Sequence, residues 1–163
     1  FLHDPQIFPV ALRLTVPELR PNIDFIYRQK TSGGLSLSHR YRFEARFFHN
    51  VKNGELDGGF SFTNFRFRYQ LTAEYPIVKN KENKPVLKAK MFDEIHFNFG
   101  KKIMSNSFDQ NRLYAGLVWE VSAPVSLELG YLHFFQELPT GKDYFSRNII
   151  RFAVNHRIDI SKH

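Results

Sequence analysis

The residues of this chain with chemistry to offer are arginines and carboxylates placed at every second position. Arg40, Arg42, Glu44 and Arg46 alternate with Tyr41, Phe43, Ala45 and Phe47. Arg66, Arg68 and Glu74 alternate in the same way with Phe65, Phe67, Tyr69 and Tyr75. Arg28 precedes them, and Glu94, Arg112, Glu120, Glu128, Arg151 and Arg157 follow, each between apolar neighbours or one step from them. Successive side chains of a strand point to opposite faces, so such segments carry one charged face and one greasy face. Opposite charges at cross-strand distance pair, and guanidinium matches carboxylate with two parallel hydrogen bonds. The expected chemistry is an ion-pair network in a confined space. Where arginine outnumbers acid, it is also the chemistry of anion preference.

Other chemistry lacks its motif. The chain has no Gly-x-Ser-x-Gly, no His-Glu-x-x-His, no phosphate-binding glycine loop and no calcium loop. His39, His133 or His156 could be paired with Ser38 or Ser126 as in a lipid hydrolase on a barrel wall, but no spacing selects a pair. The seven histidines are scattered and cysteine is absent, which removes disulfides and thiolate metal sites. No catalytic residue, no metal and no cofactor is therefore expected. The net charge of +7 comes from arginines interleaved with glutamates, so nucleic acid is not an expected partner.

The elements that must position these side chains are long strands. Seven are read, at about 23–31, 35–49, 60–78, 85–99, 110–121, 125–137 and 145–160. Soluble strands average about five or six residues, whereas these have the length a membrane-crossing barrel strand needs. Residues 91–94 spoil the alternation by placing Asp93 on the apolar face, and a β-bulge there is expected. Short turns at 32–34, 79–84 and 122–124 alternate with longer loops at 50–59, 100–109 and 138–144. Outer-membrane barrels show that rhythm, with short periplasmic turns and long extracellular loops. Residues 1–22 are then an extracellular segment with a short strand at Val10–Val16, and 23–163 are barrel strands. Strand parity suggests either that Val10–Val16 closes the barrel as an eighth strand or that N-terminal strands are missing. No stretch of about eighteen apolar residues occurs, which excludes a transmembrane helix and leaves a barrel open.

Alternation alone does not say which face is outward, because a soluble lipocalin-like barrel also alternates. The apolar set is rich in large rings: 16% of the chain is aromatic. Packed inside a small barrel with the leucines and isoleucines they would overfill it, while facing lipid they meet no such limit. Tyr27, Tyr75 and Trp119 lie toward the turn ends, and Phe47, Phe60, Phe99 and Phe135 toward the loop ends, as aromatic girdles would. His39, His133 and His156 fall on the apolar face and are expected in the interfacial belts.

Phe108-Asp109-Gln110-Asn111-Arg112-Leu113-Tyr114-Ala115-Gly116-Leu117 and Val125-Ser126-Leu127-Glu128-Leu129-Gly130-Tyr131 resemble the domain of unknown function 2490 family, common in Bacteroidota. Residues 37–44, 66–69 and 93–100 look like that family's preceding strands, and the resemblance runs over roughly 23–160. It implies an outer-membrane β-barrel with no established activity, and members usually longer at the N-terminus. The expected fold is an all-β, antiparallel, up-and-down transmembrane barrel of about 8 strands in this chain and about 10–12 in a full protein. The expected place is the outer membrane of a Gram-negative bacterium. The expected role is a structural or accessory subunit of an outer-membrane assembly, in contact with lipid and other outer-membrane proteins. A narrow, porin-like, anion-favouring pore and a soluble lipocalin-like ligand carrier are the alternative readings.

Overall fold

The computed structural model describes residues 15–100, 107–137 and 144–158. Eight strands follow one another: β1 (Glu18–Leu19), β2 (Asn22–Lys30), β3 (Ser36–Lys52), β4 (Glu55–Lys79), β5 (Pro85–Phe99), β6 (Phe108–Glu120), β7 (Val125–Glu137) and β8 (Tyr144–His156). There is no helix among the described residues. All pairings are antiparallel, and from β3 to β8 each strand lies beside the next in sequence. β1 and β2 both pair with β3 and act as one edge strand interrupted at Arg20-Pro21, where the Pro21 carbonyl still accepts from Ala45 N–H. Proline has no N–H to give to a ladder, so an edge is where it is tolerated.

The sheet is a meander curled into a half-barrel. The curl brings Arg28 of β2 and Arg151 of β8 to the lining of one cavity, although six strand positions separate their elements. Among the described residues β2 pairs only with β3, and β8 only with β7. The concave face holds the most buried side chains, and most of them are polar: Glu44, Glu94 and Glu128 are each 2% exposed. The convex face carries Ile23, Phe25, Leu129, Ile150 and Phe152, all exposed, with Ile150 at 80%.

The turns follow local chemistry. Gly34 takes φ +87° in the β2–β3 turn, where Gly34 N–H donates to the Thr31 carbonyl. In the β4–β5 turn the Asn80 side-chain oxygen accepts from the Glu82 and Lys84 N–H groups. The β3–β4 connection corrects the expected loop at 50–59. β3 and β4 resume pairing beyond a bulge, where Asp57, Gly58 and Gly59 stand opposite Asn50, and continue to Lys52↔Glu55, with Asn53 and Gly54 at φ 52° and 81° forming the tip. Asn-Gly prefers the two-residue hairpin turn whose twist matches the strands, so glycines 58 and 59 lie within a strand instead of ending one. β4 consequently runs for 25 residues, over twice the roughly 9–11 that cross a bilayer.

The expected bulge at 91–94 is also corrected. Register is unbroken there, from Tyr69↔Ile95 through Leu71↔Asp93 to Ala73↔Met91. Asp93 sits on the convex face because Phe92 takes the concave position. Irregularities occur elsewhere: Thr63 is the extra residue between Arg46↔Asn64 and Phe47↔Phe62, and Asp109 the extra one between His96↔Gln110 and Phe97↔Phe108. The expected eighth strand at Val10–Val16 lies largely outside the described residues, as do most of the loops at 100–109 and 138–144.

Candidate functional site: the charged concave face

Strand register decides which charges meet. Row by row across the sheet, Arg40, Gln70, Glu94 and Arg112 are successive partners on β3, β4, β5 and β6. In the next row Asp24, Arg42, Arg68, His96 and Gln110 are successive partners. Two arginines thus stand directly opposite each other, Arg42 and Arg68, and each turns to a carboxylate. Arg42 takes Asp24 with two bonds of 2.6 Å. Arg68 donates to Glu44 at 2.9 Å and to Glu94 at 2.8 Å.

Glu94 is the hub. Arg40 reaches over Gln70 to its Oε1 at 2.5 Å, and Arg112 approaches its Oε2 at 3.7 Å. His96 Nε2 lies 3.1 Å from the same Oε2, while its Nδ1 is 2.7 Å from the Gln110 carboxamide oxygen. That oxygen also accepts from Arg112 Nη2 at 2.9 Å. A buried carboxylate is tolerated only when paired and hydrogen-bonded on its remaining lone pairs, and Glu94 meets that condition from three strands.

Toward the loop end, Arg46 pairs with Glu18 at 2.5 Å and Arg66 with Asp109 at 3.0 Å. The bulge at Asp109 turns its carboxylate onto the concave side. Arg66 Nε donates to Asn98 as well. Toward the turn end, Lys88 bridges Glu120 (2.6 Å) and Glu74 (3.7 Å), and Glu128 holds Lys90 (2.9 Å) and Arg151 (3.5 Å).

Tyr114 fills the space between these groups and is fully buried. Its ring stacks on Phe92 at 4.9 Å and lies over the paired glycines Gly116 and Gly130. A Cβ on Gly130 would come within 2.6 Å of Tyr114 Cε2, and one on Gly116 within 2.7 Å of the Leu129 carbonyl. Only glycine lets the ring lie flat on the strands here, an aromatic covering for residues that have no side chain to pack.

All fourteen charged residues expected in the network lie on strands or their ends at concave positions, but they do not form one network. Arg40, Arg42, Glu44, Arg68, Glu94 and Arg112 are joined in one cluster. Arg46 and Arg66 belong to the loop-end pairs, and Glu74, Glu120, Glu128 and Arg151 to the turn-end pairs. Arg28 and Arg157 line the cavity and have no carboxylate partner among the described residues. Glu18, Lys88, Lys90, His96, Asp109 and Gln110 were not among the expected set. Lys88, Lys90 and His96 carry the same two-residue spacing as Glu94 and could have been found by it. Asp109 could not, because its side depends on a bulge.

The convex face is apolar with a few polar groups that satisfy one another. Asn111 donates to Asp93 (2.5 Å), His39 Nδ1 meets the Tyr69 hydroxyl (2.9 Å), and His133 Nδ1 meets Asn148 (2.8 Å). Around them runs an aromatic sheet, with Phe43, Phe65 and Phe99 in mutual ring contact at 5.3–5.6 Å. Among the described residues no group of three histidines or carboxylates is placed to hold a metal ion.

No curated protein and no solved structure matches the chain. The family model described as "Protein of unknown function (DUF2490)" matches residues 10–145, which takes in the strands that build the charged face through the start of β8, and the chain belongs to that family.

Proposed function

We propose that this chain forms β-barrel wall in the outer membrane of a Gram-negative bacterium of the Bacteroidota, as a structural or accessory subunit of an outer-membrane assembly. The observation that carries this reading is the inverted polarity of the sheet. Glu44, Glu94, Glu128 and Arg66 are buried on the concave side, while isoleucines, leucines and aromatic rings such as Ile23, Phe25, Leu129, Ile150 and Phe152 are exposed on the convex side. An aqueous barrel of the lipocalin kind requires the opposite arrangement. Exposed apolar area of this extent costs about 25 cal/mol per Å² in water and nothing in hydrocarbon. The mutual satisfaction of Asp93 with Asn111, and of His133 with Asn148, suits a wall where water cannot serve those groups.

The structural role is favoured over a conducting pore because the middle of the concave face is spanned by ion pairs. Arg40, Arg68 and Arg112 converge on Glu94 from three strands, so these charges answer one another instead of facing a passing ion.

The single tryptophan tests the reading. Trp119 is exposed on the convex face between Leu87 and Leu127. Refolded into vesicles, the protein should lose Trp119 fluorescence to lipids brominated along their acyl chains and keep it against aqueous acrylamide. Strong acrylamide quenching with no bromine effect would place that face in water and end the proposal.

A further inference from the structure

We propose that the cavity at the turn end of the concave face binds a small, soluble, phosphate-bearing anion. The cavity measures about 820 Å³, within the range of roughly 300–1,000 Å³ typical of small-molecule sites. Eight cationic side chains line it, including Arg28, Lys30, Arg151 and Arg157, against only two carboxylates, Glu74 and Glu94. Glu44 and Glu128 lie beneath the lining and serve Arg68, Lys90 and Arg151. Even with those two added, cations outnumber acids two to one among the described residues.

The excess is localised. Arg40, Arg68 and Arg112 share Glu94, and Arg68 also holds Glu44, so most of their charge is answered. Arg28, Lys30 and Arg157 have no ion pair among the described residues and reach the cavity from β2 on one side and from beyond β8 on the other. A low-dielectric wall around like charges focuses a positive potential and draws in a counter-ion. Guanidiniums arriving from opposite sides suit a tetrahedral, multiply charged group, which presents acceptors in every direction, better than a single planar carboxylate. The neutral part of the lining, Ser36, Ser38, Gln70 and Thr72, supplies hydroxyl and amide groups for the rest of such a molecule. The apolar convex face and the charged cavity lie on opposite sides of the sheet, so the source is a soluble phosphate compound and not a lipid headgroup. Phosphate binding rests on the cavity's charge and holds equally in detergent, while the choice of a soluble source over a headgroup rests on the proposed lipid-facing side.

Inorganic tripolyphosphate is the probe, titrated calorimetrically into the full chain in neutral detergent at constant ionic strength. Wild type should bind it saturably. Arg28→Gln with Arg157→Gln should weaken binding by about tenfold per side chain removed, the usual loss for a hydrogen bond to a charged group. Arg20→Gln, outside the cavity, should bind as wild type does. Far-UV circular dichroism checks the fold of each variant, and Lys30→Gln, exposed and outside every ion pair described above, carries the same tenfold expectation if the double variant does not fold. Absent saturable binding by wild type, unchanged affinity in the cavity variants, or displacement by micelles containing anionic phospholipid but not by free phosphate would each overturn the proposal.

Discussion

Glu94 takes three guanidiniums and an imidazole on two oxygens while itself almost wholly buried. Its replacement would therefore remove the counter-charge of groups that stay behind, and the cost is the penalty of leaving them unanswered rather than the worth of one pair. Glu94→Gln is expected to destabilise by about 3–5 kcal/mol, the range found when one partner of a buried ionic cluster is deleted. Glu120→Gln loses a single, half-buried pair with Lys88 at the sheet's turn end, where Lys88 keeps Glu74 nearby, and should cost no more than about 1 kcal/mol. Denaturant midpoints of the two variants in the same detergent measure the difference, and equal losses would show that the Glu94 cluster contributes no more than a surface pair. The contrast arises from position alone, since both residues are glutamates on concave-facing sites.

A strand of this sheet carries its two chemistries on alternate residues, so a single element can be tested from either face. Leu129 of β7 lies between Leu117 and Phe152 on the convex side and is exposed. Leu129→Arg should cost about 2–4 kcal/mol in lipid, the figure for a cation near the middle of a barrel's lipid face. An exposed leucine in water would accept the same change within about 0.5 kcal/mol. Unfolding free energies in vesicles separate the two cases, and a near-neutral effect would argue against a lipid-facing wall. The period-two pattern that allows this experiment is also what made the elements readable. Leu113, Ala115, Leu117 and Trp119 against Arg112, Tyr114, Gly116 and Glu120 assign both faces of β6 without any tertiary information. The pattern does not carry register between strands, so no reading of residues could say that Arg42 would meet Asp24, or that Arg40 would reach across Gln70 to Glu94. Asp93 shows the same boundary from the other side. Its polarity argued for a bulge, while the ladder kept its register and gave it Asn111 as a partner. Asn53-Gly54 is a turn signal in the sequence, but Asp57-Gly58-Gly59 is an equal one and masks the strand that continues through it.

At the scale of the whole molecule, the direction of the edge strands constrains how the half-barrel is completed. Seven successive antiparallel strands, from β2 to β8, leave the first and last running the same way. Direct pairing of β2 with β8 would be parallel, the only such junction in an otherwise antiparallel sheet. Bacterial outer-membrane barrels have even strand numbers and antiparallel neighbours throughout, so closure of that kind needs an odd number of further strands between these edges. A copy of the same seven-strand sheet placed around a common barrel axis would not remove the problem, since each junction would again join strands of like direction. The prediction concerns distance. One intervening strand holds β2 and β8 apart by two inter-strand spacings, about 9–10 Å, beyond the roughly 7 Å that a disulfide spans between Cα atoms. The chain has no cysteine of its own, so pairs can be introduced cleanly. Phe25→Cys combined in turn with Ser146→Cys, Asn148→Cys or Ile150→Cys, all at convex positions, should stay reduced under mild oxidation of the refolded protein. The same treatment should cross-link Leu117→Cys with Leu129→Cys, which face each other on paired strands. A disulfide in any β2–β8 combination would mean that the two edges meet directly, and that this family closes its sheet through a parallel pair.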